Sequence, residues 1–219
     1  MQKSFGLRGA EGAAVLLAWL TFVALAIAAH GKTVLPGDRR LTIWIQSWRV
    51  AGLDHLTNAT NHLMSGWTLT GGTLVLCALL LVRRDRPEAL LLACTIVIRF
   101  GNGIIKHLVQ SPRPTPDLVH VAHSGGGLGF PSGHTVGAVA VGIAVAWIGA
   151  RHFRRVEART LIWLGAILLI VITGIGRVRV GAHWPSDVAG AVLWASPLML
   201  VLGRIILPPG RAERYLIRQ

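Results

Sequence analysis

The distribution of apolar residues constrains the fold of this chain more than any other feature of its sequence. Six stretches approach or exceed the roughly 18–20 apolar residues needed to cross the hydrocarbon core of a bilayer. They lie at about 12–30, 66–82, 88–106, 131–150, 160–176 and 187–207. This pattern predicts an all-α integral-membrane bundle of six transmembrane helices, formed by one domain over residues 1–219.

The first apolar stretch has a second interpretation, a cleaved signal peptide. Lys3 and Arg8 precede the stretch, and Ala26-Ile27-Ala28 resembles a cleavage site. We favour a retained span, because the apolar run is long for a signal peptide and further spans follow it.

Residues 38–62 mix tryptophan and isoleucine with arginine and do not form a span. The apolar residues Ile43, Trp44, Ile45 and Trp48 mix with Arg39, Arg40 and Arg49, which is typical of an amphipathic helix. We expect such a helix at the outer membrane interface, with its tryptophans at headgroup level. A packed connecting helix is an equally good interpretation.

The formal net charge of +13 does not indicate a nucleic-acid-binding protein. The basic residues cluster in short loops beside apolar spans, and no basic helix or aromatic platform is visible. Twelve of them fall on one side of the predicted topology and seven in the opposite loops. By the positive-inside rule, both termini are predicted to be cytoplasmic, as in a bacterial inner-membrane protein.

Polar residues gather in three clusters beside the spans, where each needs an explanation. The first runs from Lys106 to Arg113-Pro114, and the second is Pro131-Ser132-Gly133-His134. The third contains Arg177, His183 and Asp187. With alternating spans, all three clusters fall on the same membrane face, which is the outer one.

Three cations in these clusters predict an anion-binding site. Lys106, Arg113 and Arg177 have few acids near them in the sequence, so together they would repel one another unless an anion lay between them. Arginine forks match phosphate oxygens, and lysine adds a point charge. Ser132 and Gly133 are expected to add backbone N–H groups at a helix N-terminus.

Two histidines supply the reactivity. His183 precedes Asp187 by four residues, so the carboxylate can accept a hydrogen bond from one ring nitrogen and leave the other free as a nucleophile. His134 is placed to protonate a leaving oxygen.

Together, the clusters resemble the signature of the type 2 phosphatidic acid phosphatase family. The matching patterns are Lys106-x6-Arg113-Pro114, Pro131-Ser132-Gly133-His134 and Arg177-x5-His183-x3-Asp187. One position departs from the family, because Gly176 stands where the family has a serine before the arginine.

The resemblance implies a role for each of these residues. His183 would be the phosphorylated nucleophile, Asp187 would orient it, and His134 would be the general acid. The implied phosphate ligands are Lys106, Arg113, Ser132, Gly133 and Arg177. The resemblance also implies a reaction through a phosphohistidine, without a metal or any other cofactor.

We therefore expect a membrane enzyme that removes a terminal phosphate from a lipid. Substrates of the polyprenyl diphosphate, phosphatidylglycerol phosphate or phosphatidate type all suit the cationic site. A lipid phosphotransferase and a non-catalytic lipid-phosphate binding or transport protein are the alternatives. The related soluble vanadate-dependent haloperoxidases share the site pattern, but the hydropathy argues against that activity.

Three polar residues have no assigned role at this point. Arg99 falls inside the third predicted span and must find a partner or reach the interface. His120 and His123 lie in the long polar loop, where they could contact a headgroup or simply be solvated.

Overall fold

The computed structural model describes residues 9–31, 34–122 and 126–207. These residues form helices and connecting loops, and no strand occurs among them. In chain order the helices are α1 (Gly9–Ala28), α2 (Asp38–Gln46), α3 (Leu53–Leu63), α4 (Gly66–Val82), α5 (Arg86–Val109), α6 (Gly133–His152), α7 (Val156–Arg179) and α8 (Pro185–Ile206). The all-α prediction is confirmed.

Five helices, α1, α5, α6, α7 and α8, are long and apolar enough to cross a membrane. The remaining predicted span is α4, which has 17 residues and follows α3 after a bend of 64°. The two helices pass the same test as one broken span, so the described chain has up to six spans.

The amphipathic segment at 38–62 is two short helices instead of one. Gly52, directly before α3, has a φ of 77°, a left-handed conformation that glycine adopts without steric cost. The chain therefore turns between α2 and α3. Both helices pack against α7, and α2 also contacts α8. They cover one end of the bundle.

Helix α6 is the centre of the bundle. It contacts α4, α5, α7 and α8, and 67% of its most apolar window is buried. Small residues permit this close packing. A Cβ on Gly137 would lie 2.5 Å from Leu69, and one on Gly142 would touch Ile170 at 3.7 Å. The glycine- and alanine-rich sequence of α6 thus allows its neighbours to approach closely.

Candidate active site

The three polar clusters meet at one end of the bundle, which we call the motif end. Lys106 lies in the last turn of α5, and α6 begins at Gly133. Helix α7 ends shortly after Arg177, and Pro185 opens α8 in the first-turn position that suits proline. Because α5 and α6 are antiparallel neighbours, as are α7 and α8, the ends of four spanning helices converge here.

His183 and Asp187 form a fully buried pair. The imidazole Nδ1 lies 3.1 Å from Asp187 Oδ2, and the two residues are 1% and 0% exposed. The same carboxylate oxygen accepts the backbone N–H of Trp184 at 3.0 Å. The spacing of four residues works because α8 starts between the two residues and presents Asp187 in its first turn.

Arg113 contacts the other side of the imidazole. Its Nη1 lies 3.4 Å from His183 Nε2 and donates to the Ala182 carbonyl at 3.0 Å. A guanidinium has only donors, so this contact requires an unprotonated Nε2. We therefore assign the proton to Nδ1, which donates it to Asp187. Nε2 is left with a lone pair directed at the cations.

The Lys106 and Arg113 side chains bind backbone carbonyls of the loop before α6. Lys106 Nζ donates to the carbonyls of Leu128 and Gly129 at 2.7 and 2.8 Å, and Arg113 Nε donates to Gly127 at 3.1 Å. These partners are neutral and leave the positive charge uncompensated.

Arg177 and His134 are joined through one residue of α3. Arg177 is 8% exposed, and its Nη1 donates to the side-chain oxygen of Asn61 at 3.5 Å. The backbone of Asn61 hydrogen-bonds His134. The Arg177 Nε is buried without a hydrogen-bond partner in the described structure. A buried guanidinium donor of this kind can donate to an acceptor such as a phosphate oxygen.

Ser132 caps α6 and is completely buried. Its backbone N–H donates to the Asp187 carbonyl at 3.0 Å, and its hydroxyl oxygen accepts from Thr135 at 3.1 Å. The N–H of Ser132 is therefore already engaged, unlike the expectation from sequence. Gly133 is the first residue of α6, where a backbone N–H has no intrahelical acceptor.

The electrostatic setting keeps His183 neutral. Burial is the main cause that lowers the pKa of His183 well below its ordinary value, and the nearby Arg113, Lys106 and Arg177 lower it further. An imidazole that stays unprotonated retains its nucleophilic lone pair.

Two further side chains at the motif end, Asp38 and Asn61, are not predicted by the sequence motifs. Asp38, in the first turn of α2, accepts the backbone N–H and the hydroxyl of Ser186 at 2.9 and 2.6 Å. It thereby holds the start of α8, beside Asp187. Asn61 is the other, as described above. Neither belongs to the motifs, and their positions depend on how α2 and α3 fold back over the bundle.

The departure at Gly176 has a packing explanation. A Cβ at this position would lie 2.9 Å from the Cβ of Thr57 on α3. The absence of a side chain allows α3 to approach α7 closely, whereas a serine would require α3 to move.

Of the two loop histidines, His120 hydrogen-bonds Gln46 through its backbone N–H and carbonyl. It lines a polar cavity of about 510 Å³ with Arg49, Asp54 and Arg179. His123 lies outside the described residues. Among the described residues, no three His, Cys, Asp or Glu side chains come together as a metal site.

The chain resembles known membrane phosphatases over most of its length. It is 25% identical to phosphatidylglycerophosphatase B of Bacillus subtilis, across 78% of this chain and 84% of that protein. It is 27% identical to the undecaprenyl-diphosphatase BcrC of the same organism, across 67% of this chain and 75% of that protein.

A solved structure has the same fold. The crystal structure of a transmembrane PAP2-type phosphatidylglycerolphosphate phosphatase from Bacillus subtilis superimposes with a TM-score of 0.74, at 22% sequence identity. The match covers 86% of this chain and 93% of that one. The model of the PAP2 superfamily matches residues 88–207, a range that contains all three polar clusters and more than half of the chain. The protein belongs to the PAP2 superfamily.

Proposed function

We propose that this protein is a membrane phosphatase that hydrolyses the terminal phosphate of a lipid through a phosphohistidine intermediate. One observation carries the proposal: His183 Nε2 points at Arg113, while its Nδ1 is held by the buried Asp187. The phosphatidylglycerol phosphate and undecaprenyl diphosphate phosphatases similar to this chain support a lipid substrate.

Phosphate binding replaces the neutral partners of the cations. Lys106 and Arg113 exchange backbone carbonyls for phosphate oxygens, and the unpartnered Nε of Arg177 gains an acceptor. The N–H of Gly133 at the start of α6 adds a fixed dipole. Ser132 contributes by positioning this turn, since its own N–H stays on Asp187.

The first step transfers the phosphoryl group to the protein. His183 Nε2 attacks phosphorus, the bond from phosphorus to the lipid oxygen breaks, and His134 gives that oxygen a proton. Asp187 stabilises the imidazolium character that develops on His183. The three cations stabilise the charge on the transferring oxygens.

The second step regenerates the protein. His134, now neutral, removes a proton from water, the water oxygen attacks phosphorus, and the bond from phosphorus to Nε2 breaks. Inorganic phosphate leaves, and both histidines return to their starting states. No step requires a metal, so full activity in EDTA belongs to the proposal.

The proposed location is a bacterial inner membrane, with the motif end outside and both termini in the cytoplasm. The excess of basic residues on the opposite side supports this orientation. It can be tested with Asp117→Cys, at the motif end, and Glu157→Cys, at the start of α7, each in a background without Cys77 and Cys94. We expect an impermeant maleimide to label only Asp117→Cys in intact cells, and the reverse pattern would invert the topology.

The activity is tested with purified protein and a panel of lipid monophosphates and diphosphates, by phosphate release in EDTA. We expect His183→Ala to lose roughly 10³-fold or more of the rate. The matched control is His152→Ala, at the opposite end of the bundle, and we expect it to retain the wild-type rate. Brief reaction with labelled substrate should give wild type a protein-bound phosphate that acid removes and alkali does not.

Three results would contradict the proposal. Full activity in His183→Ala would exclude the nucleophile, and a requirement for added metal would exclude the metal-free scheme. Binding of lipid phosphates without turnover would indicate a binding or transport protein. Label that appears in an acceptor lipid, instead of in free phosphate, would identify a phosphotransferase with the same first step.

A further inference from the structure

A polar stripe runs down one face of α5 from the motif end into the membrane-spanning part of the bundle. It consists of Lys106, Asn102 and Arg99, spaced four and three residues apart, so the three side chains share a face. Arg99 and Lys106 are seven positions apart, which corresponds to about 10 Å along the helix axis. The stripe faces α6, because a Cβ on Gly133 would lie 3.7 Å from the Asn102 amide and one on Gly137 would lie 3.6 Å from Arg99 Nε.

Arg99 is a cation without an anion. Its Nη1 donates to the Thr70 hydroxyl at 2.8 Å, and its Nη2 donates to the Gly66 carbonyl at 3.2 Å. Both partners are neutral groups of α4. Within residues 9–31, 34–122 and 126–207, no acid forms an ion pair with Arg99. An uncompensated arginine in a spanning helix is costly and typically marks a functional pathway.

The Arg99 side chain also packs on α6 about one helical turn from the proposed general acid. Gly137, which packs on the Arg99 side chain, is one helical turn after His134 on α6. The two groups are close enough for their charges to interact. Between Arg99 and Lys106, Asn102 is 4% exposed, and its side-chain oxygen has no partner in the described structure. The stripe is therefore polar and incompletely satisfied from the phosphate site to Arg99.

We propose that Arg99 binds the lipid-proximal phosphate of a lipid diphosphate and thereby makes the protein prefer diphosphates to monophosphates with the same tail. This inference rests on the proposed function. When His183 attacks the terminal phosphorus of a diphosphate, the leaving group is a lipid phosphate. This phosphate carries a negative charge in the substrate and keeps that charge after His134 protonates the bridging oxygen.

The position of Arg99 suits this leaving group. His134 protonates the bridging oxygen, and the second phosphate then lies on the membrane side of His134, toward Arg99. A lipid monophosphate leaves as a neutral alcohol and has no group for Arg99 to stabilise. Arg99 therefore acts on one substrate class, because only a diphosphate carries a second negative charge on the membrane side of the bond that breaks.

The test compares a short-chain prenyl diphosphate with the monophosphate of the same tail. In Arg99→Gln, we expect kcat/KM for the diphosphate to fall about tenfold or more, and that for the monophosphate by less than about threefold, because one charge-assisted contact is lost. Arg99→Lys, which keeps the charge without the fork, should lose less on the diphosphate than Arg99→Gln.

A second variant separates this role from helix packing. Thr70→Val removes the hydroxyl that Arg99 binds on α4 and retains the cation. We expect Thr70→Val to keep the wild-type ratio of diphosphate to monophosphate activity. Should Arg99→Gln fail to fold, Arg99→Lys and Thr70→Val still give the comparison.

Equal losses on both substrates in Arg99→Gln, or a ratio changed as much by Thr70→Val, would assign Arg99 to packing and overturn the inference. An unchanged ratio in both Arg99 variants would do the same. Failure of the proposed function would give a different result. Either the wild type would hydrolyse neither lipid, or His183→Ala would remain active on both lipids.

Discussion

Both ends of the α5–α6 helix pair carry clustered charge, but the basic groups have an acidic partner at one end and neutral partners at the other. At the end opposite the motifs, the buried Glu88 of α5 lies 3.9 Å from Arg151 Nε and 3.4 Å from His152 Nε2 on α6. At the motif end, Lys106 and Arg113 contact backbone carbonyls, and the Arg177 Nε has no partner in the described structure.

We interpret the charge at the Glu88 end as structural and the charge at the motif end as part of the proposed phosphate site. Glu88 offsets part of the charge of its basic neighbours Arg151 and His152. Carbonyl dipoles orient the cations of the motif end without cancelling their charge. Asp187 lies beside these cations, but its carboxylate accepts hydrogen bonds from His183 and from the backbone of Trp184, and Asp38 is bound to Ser186. The cations of the motif end are therefore suited to the phosphate that the proposed function requires.

The largest effect should come from removing one cation at each end. Arg177→Gln should lower kcat/KM for lipid phosphate about 100-fold, because two charge-assisted hydrogen bonds to phosphate are lost. Arg151→Gln, the matched change at the opposite end, should leave kcat/KM nearly unchanged. It should instead lower the free energy of unfolding by about 1–3 kcal/mol.

Steady-state kinetics and thermal unfolding of both variants provide the measurement. If Arg151→Gln reduced turnover as strongly as Arg177→Gln, the division between the two ends would be wrong.

A smaller effect concerns pH, and it tests whether the cations act on the nucleophile. Because the pKa of His183 is lowered below its ordinary value of 6.5, its neutral form should persist below that pH. The acid limb of kcat/KM against pH should therefore lie below 6.5. Removing a nearby cation raises the pKa of His183, so Arg113→Gln should move the limb to higher pH. Glu88→Gln, at the opposite end, should not move it.

The profile must be measured where chemistry limits the rate. An acid limb at or above pH 6.5 in wild type, or one that Arg113→Gln leaves in place, would contradict this account of the site.

Local sequence patterns predict the spanning helices and the shared position of the three motifs, because hydropathy and spacing are local properties. The His183–Asp187 contact follows from a spacing of four residues at the start of a helix. The division of 38–62 into two helices does not follow, because it depends on the backbone of Gly52. The contacts of Asp38 and Asn61 also escape prediction, since they form only when α2 and α3 fold back over α7 and α8.

The smallest effect concerns the position where this chain departs from its family. Gly176→Ser introduces a Cβ only 2.9 Å from Thr57 and should push α3 away from α7. Overpacking of this kind costs about 1–3 kcal/mol of stability. Asn61 lies one turn along α3 and contacts both Arg177 and His134, so turnover should fall severalfold while the motif residues stay intact.

Thr57→Gly removes the side chain that the new serine would meet, and the nearest remaining atom, the Thr57 Cα, lies 3.4 Å away. In a double-mutant cycle, Thr57→Gly should restore much of the turnover that Gly176→Ser loses, relative to Thr57→Gly alone. Strictly additive losses would show that the serine acts without displacing α3. A serine that raised turnover would mean that this position supports the phosphate site directly, and that glycine here weakens it.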